Sequence, residues 1–187
     1  MGFVPKISEA QRTARRTQIL DGARRAFARW GFGGATVNRL EAEIGLSRGA
    51  IFSYFPSKWD LFYALAREDQ RRVGELWLER GFEGMVHHVA EVGPDWLAAY
   101  LEVARILRND PARRKQWQQR NPELDAQIEA HLAQRRADGI DRSDLPLDSV
   151  GMFLGIVLDG ISLHLAAGFP VDVESTLELV RSALAPK

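Results

Sequence analysis

The sequence predicts an all-α fold of about nine helices, with a three-helix domain over 1–60 and a larger helical domain over 61–187. Three observations carry this. Apolar residues recur at i, i+3 and i+4 in most segments, and none shows the alternation of a half-buried strand. Glycines and prolines punctuate those segments at Gly31-Phe32-Gly33-Gly34, Gly45, Pro56, Pro94, Gly139 and Gly168. Charge is segregated: residues 1–60 hold ten Lys or Arg against five Asp or Glu, so the remainder holds fifteen against twenty.

Composition removes several function classes. The hydrophobic fraction of 45% is that of an ordinary globular chain. There is no continuous apolar run of about 18 residues and no N-terminal apolar signal region, so a cytoplasmic protein without a membrane partner is expected. With no Cys there is no disulfide, thiolate zinc site or Cys nucleophile. Four scattered His, no phosphate-cradling glycine loop and no Ser-His-Asp arrangement give an enzyme little support, and no cofactor or catalytic residue is assigned.

Residues 1–8 read as a short arm broken by Pro5. Arg12, Arg15 and Arg16 follow, either as contacts to phosphates beside a binding site or as the solvated face of the first helix. That helix spans about Glu9 to Trp30, its buried stripe being Ile19, Leu20, Ala23, Ala26, Phe27 and Trp30. The glycine cluster then breaks it.

From Thr36 to Lys58 the chain reads as a bihelical corner. Val37, Leu40 and Ile44 make one apolar face, and Thr36 is placed to cap it. Gly45 occupies the left-handed stop position, Leu46 fills the corner, and Ser47 caps a second helix from about Arg48 to Tyr54. Ile51, Phe52 and Phe55 anchor that helix, leaving Arg48, Gly49, Ala50 and Ser53 outward. A short helix showing one Arg, small residues and a hydroxyl fits a major groove about 12 Å wide. The corner is a helix-turn-helix, with double-stranded DNA as the expected partner.

The stretches ILDGARRAFARWGFGGATVNRL and GLSRGAIFSYFPSKWDLF, from Ile19 to Phe62, resemble the TetR-type bacterial transcriptional repressors. The wording Arg-Leu-Glu, Arg-Gly-Ala-Ile-Phe and Ala-Leu-Ala-Arg-Glu-Asp is similar to that of the actinobacterial aconitase-repressor subgroup. One departure is Glu41, where the family usually carries a small alanine; Glu41 is placed to orient Arg48 across the corner.

Pro56 stops the second helix and Ser57 caps a long fourth one carrying Leu61, Phe62, Leu65, Val73, Leu76 and Trp77. Glu83, His87 and Glu91 then recur on one helical face, a spacing a divalent metal can use, but they are read as an exposed polar face with no metal. Pro94 opens a helix whose expected stripe is Trp96, Leu97, Tyr100, Leu101, Ala104 and Leu107. Asp110-Pro111 starts a long helical segment to about Arg136, kinked at Asn121-Pro122 and ended by Asp138-Gly139. Asp148 to Ala167 is apolar nearly all round, and Asp172 to Leu184 carries one apolar stripe.

A helix buried on every side near the end of a small protein needs a second surface, and a second copy is the simplest one. The expected homodimer interface comprises Phe153, Val157, Ile161, Leu165, Leu177, Val180 and Leu184, a four-helix arrangement that the resemblance also implies. Such a dimer reads a palindromic operator with half-sites about 34 Å apart. Arg48 is the candidate base contact, with Ala50 near a thymine methyl and Ser53 serving either edge; Thr36, Ser47, Tyr54 and Lys58, and more weakly Arg39, are candidates for phosphates. Control is expected from a small-molecule effector in a pocket drawing on Trp96, Tyr100, Arg105, Trp117, His131 and His164. Under the subgroup resemblance a tricarboxylate would meet Arg105 and a histidine. The alternative is a regulator without an effector, controlled by abundance or by a protein partner.

Overall fold

The computed structural model describes residues 8–92 and 95–186, side chains 92–98 excepted, and these form nine α-helices. The chain divides into two compact units between Ala66 and Arg67.

The first unit contains α1 (Glu9–Gly34), α2 (Val37–Ile44), α3 (Arg48–Phe52) and the first turns of α4 (Lys58–Val92). Ser8 and Gln11 cap α1 reciprocally, through bonds of 3.2 and 2.9 Å. Gly31, at φ 66°, breaks the helical path where the glycine cluster predicts. Ile19, Ala23, Ala26, Phe27, Leu40 and Ile51 are fully buried. Phe62 meets Phe27 and Phe32 edge-on, at 5.3 and 5.2 Å, and Trp59 lies 6.5 Å from Phe62. This aromatic packing draws the start of α4 into the first unit, which therefore runs to Ala66 rather than stopping at 60.

The second unit holds the rest of α4, broken at Gly81 (φ 73°), then α5 (Asp95–Asn109), α6 (Pro111–Gln118), α7 (Pro122–Ala137), α8 (Leu147–Ala166) and α9 (Val173–Leu184). Its core comprises Trp77, Met85 and Val86 of α4, Leu132 of α7, Leu154 and Ile161 of α8, and Leu177 and Val180 of α9. Asp110 caps α6 by accepting from Arg113 N at 3.0 Å. Asp172 caps α9 by accepting from Ser175 N at 3.0 Å, a bond that holds its carboxyl below the ordinary range.

Several expectations change here. The segment from Asp110 is two helices rather than one kinked helix, because Gln119 to Asn121 leave the helical path before Pro122 starts α7. On α5 the buried residues are Ala99 and Val103, while Leu101 and Ala104 are exposed, so the true stripe is rotated from the expected one; Pro94 and the side chains of Trp96 and Leu97 lie outside the described residues. Glu83 pairs with Arg181 at 3.2 Å, and His87 Nε2 lies 3.4 Å from the Glu174 carboxylate.

The expected dimer face is corrected in the same way. Ile161, Leu177 and Val180 are 5%, 0% and 7% exposed within a single chain, so no second copy can reach them. Val157, Leu165 and Leu184 are partly buried against the same core. Only Phe153 of the expected set is exposed, and it is joined by Met152 (67%), Ile156 (63%), Leu163 (45%) and Leu179 (72%). Because α8 is apolar all round, periodicity could not say which side faces inward. With a mean hydropathy of 1.6, α8 is also long and apolar enough to cross a membrane by length and composition alone, which the absence of an unbroken apolar run had hidden.

Candidate nucleic-acid interface

The corner is built from short-range bonds. Thr36 Oγ1 accepts from Arg39 N at 3.4 Å, starting α2. Gly45 adopts the left-handed conformation (φ 75°) and its N–H donates to Glu41 O at 2.9 Å, ending α2. Ser47 Oγ accepts from Ala50 N at 3.4 Å, and Glu41 Oε1 accepts from Arg48 N at 2.5 Å.

From α1, Gln18 Nε2 donates to Ile44 O at 3.1 Å and Arg25 Nη2 to Glu43 O at 3.1 Å, satisfying carbonyls that the end of α2 leaves unpaired. Arg25 Nε also meets the Glu43 carboxylate at 2.9 Å. The two helices approach so closely that a Cβ on Gly22 would lie 2.7 Å from Ile44 Cα.

Ile51 and Phe55 are buried behind α3, while Arg48, Gly49 and Ser53 are exposed and Ala50 half-exposed. A Cβ on Gly49 would meet nothing within 4 Å, so no packing within the chain demands glycine there. Ser53 Oγ donates to Ala50 O at 2.7 Å, which leaves its lone pairs to accept. Tyr54 falls just past α3, in a turn, and is half-buried. Arg39 Nη1 donates to Gly34 O at 2.8 Å and its guanidinium lies 5.3 Å from the Trp30 ring centre, with Arg29 at 4.8 Å from the same ring.

Lys58 is engaged differently from its sequence reading. Its Nζ donates to Phe32 O at 2.8 Å and Gly33 O at 3.4 Å, and sits 4.7 Å from the Phe32 ring centre. It thereby closes the C-terminal end of α1. Lys58→Ala is expected to destabilise the first unit by about 1–2 kcal/mol, seen as a lower thermal midpoint. An unchanged midpoint would refute the clamp.

In the second unit a cavity of about 450 Å³ lies among α4, α7 and α8. Val73, Trp77, Leu124 and Leu132 supply apolar wall, with Arg120, Asp125 and Asp159 among the polar groups. Desolvation raises the carboxyls of Asp125 and Asp159, and the positive charge of Arg120 pulls each the other way. None of Tyr100, Arg105, Trp117, His131 and His164 lines this cavity, and the Trp96 side chain is outside the described residues. Tyr100 and Trp117 pack edge to face at 5.6 Å, Arg105 is exposed on α5, and His164 Nδ1 bonds Gly160 O at 2.8 Å. Sequence reading missed Arg120 because it precedes Asn121-Pro122 as a break between helices, with no periodic position to mark it.

Residues 19–65 match the family model of bacterial regulatory proteins of the tetR family. The HTH-type transcriptional repressor Rv1474c of Mycobacterium tuberculosis is 44% identical over 184 residues, covering 97% of this chain and 98% of that protein. The HTH-type transcriptional repressor AcnR of Corynebacterium diphtheriae is 41% identical over 186 residues, covering 97% of each. Among solved structures, Salmonella enterica GusR superposes with a TM-score of 0.73 at 21% identity, over 95% of this chain and 96% of that one. A TetR transcription regulator from Haloarcula marismortui gives 0.73 at 18%, over 92% and 98%. With a capped helix-turn-helix in its basic first unit and full-length relatives that repress transcription rather than catalyse, the chain belongs to the tetR family of DNA-binding transcriptional repressors.

Proposed function

We propose that the protein acts as a homodimer that places two copies of α3 in successive major grooves of a palindromic operator and responds to a small molecule held in the second unit. The observation that carries the DNA reading is the exposed Arg48-Gly49 edge of α3 on a unit with ten basic against five acidic residues in its first 60. Arg48 is the base-reading side chain; Thr36, Ser47, Tyr54 and Arg39 face phosphates, and Ser53 accepts. Lys58 serves first as the clamp on α1.

The exposed apolar residues of α8 and α9 support the dimer. Met152, Ile156 and Leu163 stand four and seven residues apart, one stripe of α8 that the chain's own core leaves uncovered. The same surplus explains why α8 passes for a membrane span by composition.

For the effector, the cavity among α4, α7 and α8 replaces the pocket expected from sequence. Its volume suits a small molecule. Arg120 flanked by Asp125 and Asp159 favours a ligand offering both an anionic group and a donor or cation, whereas a bare tricarboxylate would face carboxylates on either side of its one partner. Such a ligand controls DNA binding only through its different affinity for the two states of the dimer.

Selection of bound duplexes from random DNA tests the main reading. Recovery of a two-fold symmetric sequence with half-sites about 34 Å apart is expected; asymmetric or unrelated sequences would refute it. On the recovered duplex, Arg48→Ala is expected to cost about 1–3 kcal/mol and to relax preference at one base pair. An equal loss on all sequences would remove Arg48 from the base-reading role. For the cavity, a metabolite screen by melting shift is expected to find ligands whose effect Arg120→Ala abolishes. No shift with any ligand would favour control by abundance or by a protein partner.

A further inference from the structure

We propose that Glu41 is a positioning residue that holds the recognition helix in register and sets the ratio of specific to random DNA binding. The proposal rests on the reading of α3 as the recognition helix. It is carried by the contact of Glu41 Oε1 with Arg48 N at 2.5 Å, seven residues along the chain and across the turn.

Glu41 fastens the corner at both ends. Its carbonyl accepts from Gly45 N at 2.9 Å, closing α2, and its side chain accepts the first amide of α3. The cap supplied by Ser47 is longer, at 3.4 Å to Ala50 N, so the shorter bond at the start of α3 comes from the preceding helix rather than from the turn. A bond from an amide to a carboxylate is stronger than one between neutral groups. Because α3 is only five residues long, it cannot hold its own direction by internal bonding and depends on such tethers. Arg48 supplies that tethered amide and is also the side chain assigned to a base, so a loose amide means a misdirected guanidinium.

The carboxylate has a second effect. Its negative charge weakens attraction to any phosphate backbone. Tethering strengthens binding to the right sequence, and charge weakens binding to every sequence. Only the tether raises the ratio; the charge lowers both affinities together.

Three variants separate the effects. Glu41→Gln keeps an acceptor of full length and removes the charge, Glu41→Asp keeps the charge and falls short of Arg48 N, and Glu41→Ala removes both. Affinity would be measured for the best duplex selected by the wild-type protein and for a scrambled duplex of equal composition, with Arg48 amide exchange followed by NMR. The Ala and Asp variants are expected to lose about tenfold in the ratio and to show faster Arg48 exchange, whereas Gln recovers the ratio to within about threefold while binding scrambled DNA more tightly. Should the Ala variant fail to fold, Asp against Gln decides alone. An Asp variant with the wild-type ratio, or a Gln variant no better than Asp, would overturn the proposal. Absence of any preference in the wild-type protein would instead overturn the recognition-helix reading.

Discussion

Ile156→Arg is expected to turn the proposed dimer into a monomer and to lower affinity for the selected duplex by about a hundredfold or more, since two tethered half-site contacts gain 10²–10⁴ over one. Ile156 is 63% exposed and lies on the α8 stripe with Met152 and Leu163, so a charge there disturbs little inside the chain. Across a two-fold axis the substitution is presented twice, each Arg meeting an apolar surface or its own copy. Sedimentation equilibrium reads the association and duplex titration reads the affinity, with the thermal midpoint as the folding control. A variant that remains dimeric, or binds as before, would place the interface elsewhere. Ile161→Ala makes the contrast: at 5% exposure it belongs to the chain's own core, and its loss would lower stability before it altered association.

Gly22→Ala is expected to destabilise the first unit by about 3 kcal/mol, the upper end of ordinary overpacking. The added Cβ would stand 2.7 Å from both Ile44 Cα and Ile44 Cγ1, and 3.2 Å from Glu43 O. A backbone atom cannot rotate aside as a side-chain tip can, so α1 and α2 must move apart. That movement stretches the bonds from Gln18 to Ile44 O and from Arg25 to Glu43 O, which satisfy the end of α2. Urea unfolding measures the loss. Gly49→Ala is the control, because its Cβ has open space and stability should hold. Equal stability of the two variants would mean that α1 and α2 can separate without cost.

Where the chain could be read in advance, the signals were local. Thr36, Ser47 and Asp110 each accept from an amide three residues on, and Gly45 and Gly139 adopt the left-handed conformation that stops a helix. The helix-turn-helix and its outward edge followed, since the hydrophobic spacing of Leu40, Ile44 and Ile51 settles which faces are buried. The contacts of Lys58 with Phe32 O and Gly33 O were not legible, because those partners lie 26 and 25 residues away. Glu41 stood out as an anomaly whose geometry could not be known until α2 and α3 were set at their angle.

The sequence by itself determined the all-helical class, the caps, the corner and the segregation of charge, because caps, turns and periodic stripes are satisfied within a few residues. Only the tertiary structure decided which sides of α8 and α9 are inward, which helices enclose the cavity, and that Arg120 rather than Arg105 reaches it. The physical reason is the same in each case. A helix that is apolar all round carries no record of its inner face, and a cavity is made by side chains far apart in the chain, so both come into being only when the helices pack.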